Sequence, residues 1–337
     1  MRYLRIGRRM VGGGKPCYII AEAGSNHDGN LRKAKELIRV SKEAGADAVK
    51  FQSFRAERLV QRSHPAFAEL KRLEVPTEWH RELKQYADRT GITFFSTPFD
   101  EGRATLLDET GVGLFKIASG DITHIPLIAH IARFRKPVIL STGMSTMNEI
   151  KRAMAAIAST GNKKVALLHC VSRYPAQPSD FNLLALDTLR AKFRLPVGLS
   201  DHSLGIYVTA AAVALGASLI ERHITLDKKL RGPDHSFSLE PDEFEMMVKS
   251  IRAIEAALGN GLKAPKGSEL AERTWARRGV YAKGSICKGE VIDAQKLKCV
   301  RPYLYCAPYE LNGIIGRRAR VRVDDDEPIR QSYLTRS

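Results

Sequence analysis

A rhythm of eight short apolar runs constrains this chain more than any other feature. They lie at 17–22, 46–52, 92–97, 114–119, 137–142, 165–170, 196–200 and 219–224. Between them, apolar residues recur at helical spacing over 31–44, 77–89, 101–109, 125–134, 146–159, 183–192 and 205–215. A last helical pattern, 241–258, opens Pro-Asp-Glu-Phe, with proline and acids where a first turn wants them. Strands that are apolar almost throughout are buried on both faces, as in a parallel sheet under helices. Eight such units in roughly 250 residues predict an α/β fold, a (β/α)8 TIM barrel. A doubly wound open sheet is less well supported, because no G-x-G-x-x-G follows the first run. Gly12-Gly13-Gly14-Lys15 lacks the phosphate-loop pattern and precedes a strand, so it reads as the turn of an N-terminal hairpin.

After Leu258 the texture changes. GNGLKAPKGSE is Gly/Pro/Lys-rich, and 259–276 reads as a linker. From 277 to 337 the chain is turn-rich, with room only for a small module of short strands. The expected division is therefore a barrel with its hairpin over 1–258, a linker, and a second domain over 277–337.

Composition narrows the function classes. No apolar run approaches the roughly 20 residues of a membrane span. No apolar stretch follows the basic start, so no secretory signal is expected. The five cysteines form no C-x-x-C pair, which suits a reducing, cytoplasmic compartment. The formal charge is +17. It is spread along the chain without a basic block, which favours a solvated surface over a nucleic-acid interface. Part of it can draw in an anionic small substrate.

In such a barrel the active site sits at the C-terminal ends of the strands. Glu22, Lys50, Gln52, Thr97, Lys116, Ser119, Ser141, Ser172, Tyr174, Ser200, His202, Glu221 and His223 all stand there. Strand parity puts Lys50 with Gln52, Ser200 with His202, and Glu221 with His223 on one face. Asp201 and Arg222 fall on the other, and are expected to pair at the rim. His202 and His223 end consecutive strands, close enough to hold one divalent metal or to be two unrelated histidines. Lys50 and Lys116 can clamp a phosphorylated or carboxylated substrate with the serines, or one of them can form a Schiff base. Glu22 and Glu221 are acid/base candidates, or simply neutralise the lysines. Asp234, on the loop after the eighth run, can hold a sugar hydroxyl or cap a turn.

The motifs AEAGSNHDG (21–29), VKFQSF (49–54), STPFD (96–100), FKIASGD (115–121), ILSTGMS (139–145), HCVSRYP (169–175), GLSDHSLG (198–205) and ERHITLD (221–227) together resemble the sialic acid synthase family. These are the phosphoenolpyruvate-condensing nonulosonate synthases. The tail resembles the antifreeze-like SAF domain that follows their barrel. Where some members carry Asn and Glu, this chain has Ser172 and Asp121, and RPYLYCAPYEL replaces a Gly-rich turn.

The resemblance implies a transferase that joins phosphoenolpyruvate to an open-chain N-acylmannosamine-type sugar and releases phosphate. It implies that His202 and His223 hold a divalent metal, typically Mn2+, with Mg2+ or Co2+ as alternatives. Lys50 and Thr97 would hold the phosphoenolpyruvate carboxylate. Lys116, Ser119, Ser141, Ser172 and Ser200 would hold its phosphate. Glu22, Gln52, Tyr174 and Asp234 would face the sugar, together with Arg301 from the SAF domain of a second copy in a swapped homodimer. The acceptor stays open among N-acetylmannosamine, its 6-phosphate and diacetamido trideoxy sugars. Two other readings also stand: a Schiff-base sugar-acid lyase using Lys116 or Lys50, and a basic nucleic-acid- or carbohydrate-binding protein.

Overall fold

Parity along each strand decides which side chains meet inside the sheet. The computed structural model describes residues 3–335. In chain order the elements are β1 (Leu4–Ile6), β2 (Arg9–Val11), β3 (Tyr18–Gly24), α1 (Leu31–Glu43), β4 (Ala48–Ser53), α2 (Ala56–Leu59) and α3 (Phe67–Leu73). Next come α4 (Thr77–Thr90), β5 (Thr93–Pro98), α5 (Glu101–Glu109), β6 (Phe115–Ile117), α6 (Ile125–Arg133), β7 (Val138–Ser141), α7 (Met147–Ser159) and β8 (Val165–Cys170). The remainder are α8 (Ala185–Phe193), β9 (Val197–Asp201), α9 (Tyr207–Ala214), β10 (Leu219–His223), α10 (Pro241–Leu258), α11 (Gly267–Ala276), β11 (Gly279–Ala282) and β12 (Leu297–Val300).

The eight strands β3 to β10 form one parallel sheet in the order β5-β4-β3-β10-β9-β8-β7-β6. The first and last strands, β3 and β10, are ladder-bonded neighbours, and among the described residues only the β5–β6 seam lacks a ladder. This is the expected TIM barrel, nearly closed. Its two apolar layers separate by parity. Ile19, Ala21 and Ala23 of β3 pack outward with the helices. Tyr18 and Ile20 turn inward, where they meet Phe95, Leu114, Ile139, Leu168 and Leu219. Leu4, Ile6 and Val11 of the β1–β2 hairpin join that inner cluster and plug the N-terminal end of the barrel.

The structure corrects several sequence expectations. The hairpin turns at Gly7-Arg8, while the triple glycine links β2 to β3, each with positive φ. Helices α2 and α3 were not foreseen; at four and seven residues they are too short to show a period. The sixth strand ends at Ile117, and Ser119 sits on a single 3₁₀ turn beyond it. The segment read as a linker contains α11. Asp201 and Arg222 do pair, Nη1 to Oδ1 at 3.0 Å, but they are fully buried rather than at a rim.

The chain divides into two compact units at Gly259/Asn260. The second has its own small core, including Val280, Ile286, Ile292, Ile314, Val323 and Ile329. Around it run the β11–β12 pair, 3₁₀ turns and isolated bridges, the short-strand texture read from the sequence.

Candidate functional site

Above the apolar layers the inward positions become polar. Glu22, Lys50, Lys116, Ser141, Ser200 and Glu221 continue the same parity as Ile20, Ala48, Leu114, Ile139, Gly198 and Leu219 below them. They line a cavity of about 380 Å³, shared with Gln52, Thr97, Ser119, Cys170, Ser172, Tyr174, His202 and His223. Asp234 reaches its edge, with Oδ2 3.8 Å from His223 Nδ1. Of the residues singled out from the sequence, only Arg301 belongs to the second unit, where it is exposed.

Four charges form the floor. Lys50 Nζ lies 2.7 Å from Glu22 Oε2 and 3.7 Å from Glu221 Oε1, and donates to Thr97 Oγ1 at 3.2 Å. Lys116 Nζ lies 3.5 Å from Glu221 Oε1. Ser200 Oγ donates to the same oxygen at 3.0 Å, and Gln52 Nε2 donates to Glu22 Oε1 at 3.1 Å. All four charged side chains are at least nine-tenths buried. Burial pushes the Glu22 carboxyl up against the pull of Lys50. Burial acts the same way on Glu221, but Lys116 and Lys50 outweigh it and keep that carboxylate ionised. Lys50 is held charged by its two carboxylates despite burial, whereas burial lowers Lys116, which has only a partial claim on one.

Beside the floor, the His202 and His223 rings lie 5.3 Å apart, centroid to centroid, at 60°. His202 Nδ1–H donates to the Val171 carbonyl at 3.0 Å, which leaves Nε2 as the free lone pair. Burial lowers the pKa of both rings, so each is a neutral donor. Tyr174 packs over His202 with centroids 4.4 Å apart, and Phe237 packs edge-on to His223 at 5.1 Å. Among the described residues no third His, Cys, Asp or Glu completes a metal cluster with them. The donor set still fits a divalent cation: two neutral imidazoles, with His223 Nδ1 buried and unpartnered. Ser141 Oγ, Ser172 Oγ and Glu221 Oε2 are likewise buried without hydrogen-bond partners. Unpaired buried polar atoms are costly, so a cluster of them around one cavity marks where a polar ligand belongs.

Three contributors escaped the sequence reading. Cys170 lines the wall at the top of β8; its inward parity with Ala166 and Leu168 was the available signal. Gly143 donates its N–H to Ser119 Oγ at 2.9 Å, and a Cβ there would lie 2.4 Å from Ser172 Oγ. Phe237 sits on a loop with no periodic pattern to reveal it.

Comparison with known proteins identifies the family. Residues 37–263 match the NeuB family and residues 277–335 the SAF domain. The chain is 44% identical to the uncharacterised protein MJ1065 of Methanocaldococcus jannaschii, over 98% of both chains. It is 42% identical to the N,N'-diacetyllegionaminic acid synthase of Legionella pneumophila, over 92% of this chain and 94% of that one. The crystal structure of the N-acetylneuraminic acid synthetase of Leptospira borgpetersenii, in complex with citrate, superposes with a TM-score of 0.77. That match covers 80% of this chain and 95% of the other, at 39% identity. A family match over two thirds of the chain, together with relatives above 40% identity along nearly all of it, shows that this chain belongs to the NeuB family of sialic acid-type synthases.

Proposed function

We propose that this enzyme condenses phosphoenolpyruvate with an open-chain N-acylmannosamine-type sugar and releases inorganic phosphate. The observation that carries the reading is the floor. Two buried lysines and four serine hydroxyls, of which Ser141 and Ser172 have no hydrogen-bond partner among the described residues, make a cradle for a small, multiply charged anion.

In this reading Lys50 and Thr97 hold the carboxylate. Lys116, with Ser119, Ser141, Ser172 and Ser200, holds the phosphate. Glu22, Gln52, Tyr174 and Asp234 face the sugar. His202 and His223 would hold a divalent ion, Mn2+ by preference, which when bound supplies Lewis-acid polarisation of the aldehyde. C3 of the enolpyruvyl group attacks the aldehyde carbon, and water adds to C2. The C2–O bond then breaks and the electron pair leaves with phosphate, whose charge Lys116 offsets and whose oxygens accept hydrogen bonds from the serines. Glu22 and Glu221 are the two carboxyl groups placed to take the proton of that water. Glu22→Gln and Glu221→Gln should separate them: the variant of the true base loses kcat about a hundredfold or more, with a smaller change in KM.

The kinship with a diacetyllegionaminic acid synthase puts a diacetamido trideoxy sugar first in the acceptor panel, ahead of N-acetylmannosamine and its 6-phosphate. Arg301 from a second copy would meet the N-acyl group in a swapped homodimer. Mixed dimers of Arg301→Ala with wild type test that arrangement. The unpaired cysteines suit the cytoplasm, where phosphoenolpyruvate is found.

The test is phosphate release from phosphoenolpyruvate across the acceptor panel, with Mn2+ and after chelation. His202→Ala should lose metal binding and activity together while keeping its fold. Release with no acceptor, or full activity in a metal-stripped sample, sinks the proposal. The lowered Lys116 favours one rival, a Schiff-base lyase. Borohydride with pyruvate would trap that enzyme covalently and leave a synthase unmodified.

A further inference from the structure

The loop that follows β10 carries Asp234. It is tied to the loop between β3 and α1 by a buried bridge. His235, fully buried, contacts Thr225 Oγ1 through Nδ1 at 2.7 Å and Asp28 Oδ1 through Nε2 at 3.0 Å. Lys33 holds Asp28 from the other side at 2.8 Å. Asn26 adds a second tie, donating to the Ile224 carbonyl at 2.9 Å and to Ser238 Oγ at 3.0 Å. Ser238 Oγ in turn donates to the Asp234 carbonyl at 2.6 Å. Gly232 folds over the imidazole so closely that a Cβ there would lie 2.7 Å from the ring.

The bridge has a direction. Asp28 is held at φ +54°, a conformation that costs a non-glycine residue roughly 1 kcal/mol, which the surrounding contacts must offset. At the other end, three polar atoms from separate segments converge above Gly24. A Cβ on that glycine would lie 3.0 Å from Asp234 Oδ2, 3.4 Å from Glu22 Oε1 and 3.5 Å from Gln52 Nε2. Asp234 is the chain neighbour of His235, so fixing the ring fixes the carboxylate beside it.

We infer that His235 is a positioning residue: the Thr225–His235–Asp28 bridge sets Asp234 against the Glu22–Gln52 pair and so governs binding of the acceptor sugar. The inference rests on the proposed sugar-facing role of Asp234. Asp28→Ala, with His235→Phe as the stronger variant, should raise KM for the acceptor about tenfold. KM for phosphoenolpyruvate and Mn2+ affinity should stay within about twofold. Asp28→Asn keeps an acceptor for Nε2–H and should recover most of the loss. Amide hydrogen exchange over 226–240 should speed up in Asp28→Ala and not in Asp28→Asn. A rise in both KM values together, or a lower Tm with unchanged acceptor KM, would overturn the inference. If the wild type turns over no acceptor, the functional proposal fails instead. Exchange alone then decides whether the bridge holds the loop, and an unchanged rate in Asp28→Ala refutes it.

Discussion

Two glycines show how tightly single residues are specified. A Cβ at Gly198 would lie 2.1 Å from the Leu219 carbonyl oxygen, which is backbone and cannot step aside. Gly198→Ala should therefore lower stability by about 3 kcal/mol or more, read as a shifted urea midpoint. Gly143 is different, because the two atoms nearest a Cβ there are the hydroxyls of Ser172 and Ser119, at 2.4 and 2.9 Å, and the one backbone neighbour, the Cys170 carbonyl oxygen, stands off at 3.2 Å, where a shift of a few tenths of an ångström suffices. The hydroxyls can rotate away, but only by leaving the cradle. Gly143→Ala should keep its Tm within a few degrees and raise KM for phosphoenolpyruvate about tenfold. At this scale parity made most of the site legible. Lys50, Lys116, Ser141 and Glu221 face inward because each sits two residues above an inward apolar side chain, and Ser200 keeps the same parity above Gly198. Ser119 and Phe237 lie off the strands, where period two says nothing.

Between elements, the outward residues beside the two histidines are the informative ones. Arg222 and Asp201 are directly opposed in the β9–β10 register. Arg222 also donates to the carbonyls of Ser203 and Gly205, and Asp201 accepts from Thr209 Oγ1 at 2.6 Å. Each neighbours a histidine in sequence, so this ion pair fixes the two strand ends from behind. Arg222→Met leaves Asp201 buried without its partner and should cost about 3–5 kcal/mol by urea denaturation. The apolar variant Asp201→Val/Arg222→Met should recover part of that loss. The sequence showed both residues to be on the wrong face for the pocket. It could not show that the outer face there lies under α9 and the loop before it.

For the whole molecule, acid is the revealing variable. Burial holds His27 and His80 at about 4, well below the ordinary histidine value, with Asp28 partly opposing this at His27 and Arg103 adding to it at His80. A ring that is neutral when folded and protonates more readily when unfolded stabilises the fold fully above about pH 6.5. That contribution falls as pH drops from about 6.5 to 4, by roughly 2–3 kcal/mol per histidine at the lower limit. The urea midpoint should decline steadily across that window; an unchanged midpoint between pH 7 and 4.5 contradicts the buried neutral assignment. No described helix is long and apolar enough to cross a membrane. The two units, divided at Gly259/Asn260, keep separate cores.

By itself the sequence determined the barrel, the end at which its polar cavity lies and most of the residues that line that cavity. These follow from local periodicities, two along a strand and 3.6 along a helix, which depend on nothing distant. Only the tertiary structure decided which partners those residues take. Lys50 meets Glu22 and Glu221, His235 reaches Asp28 across 207 residues of chain, and a hairpin plugs the barrel floor. Such contacts depend on ring closure and on loop paths, and burial then sets whether each charge survives among its neighbours.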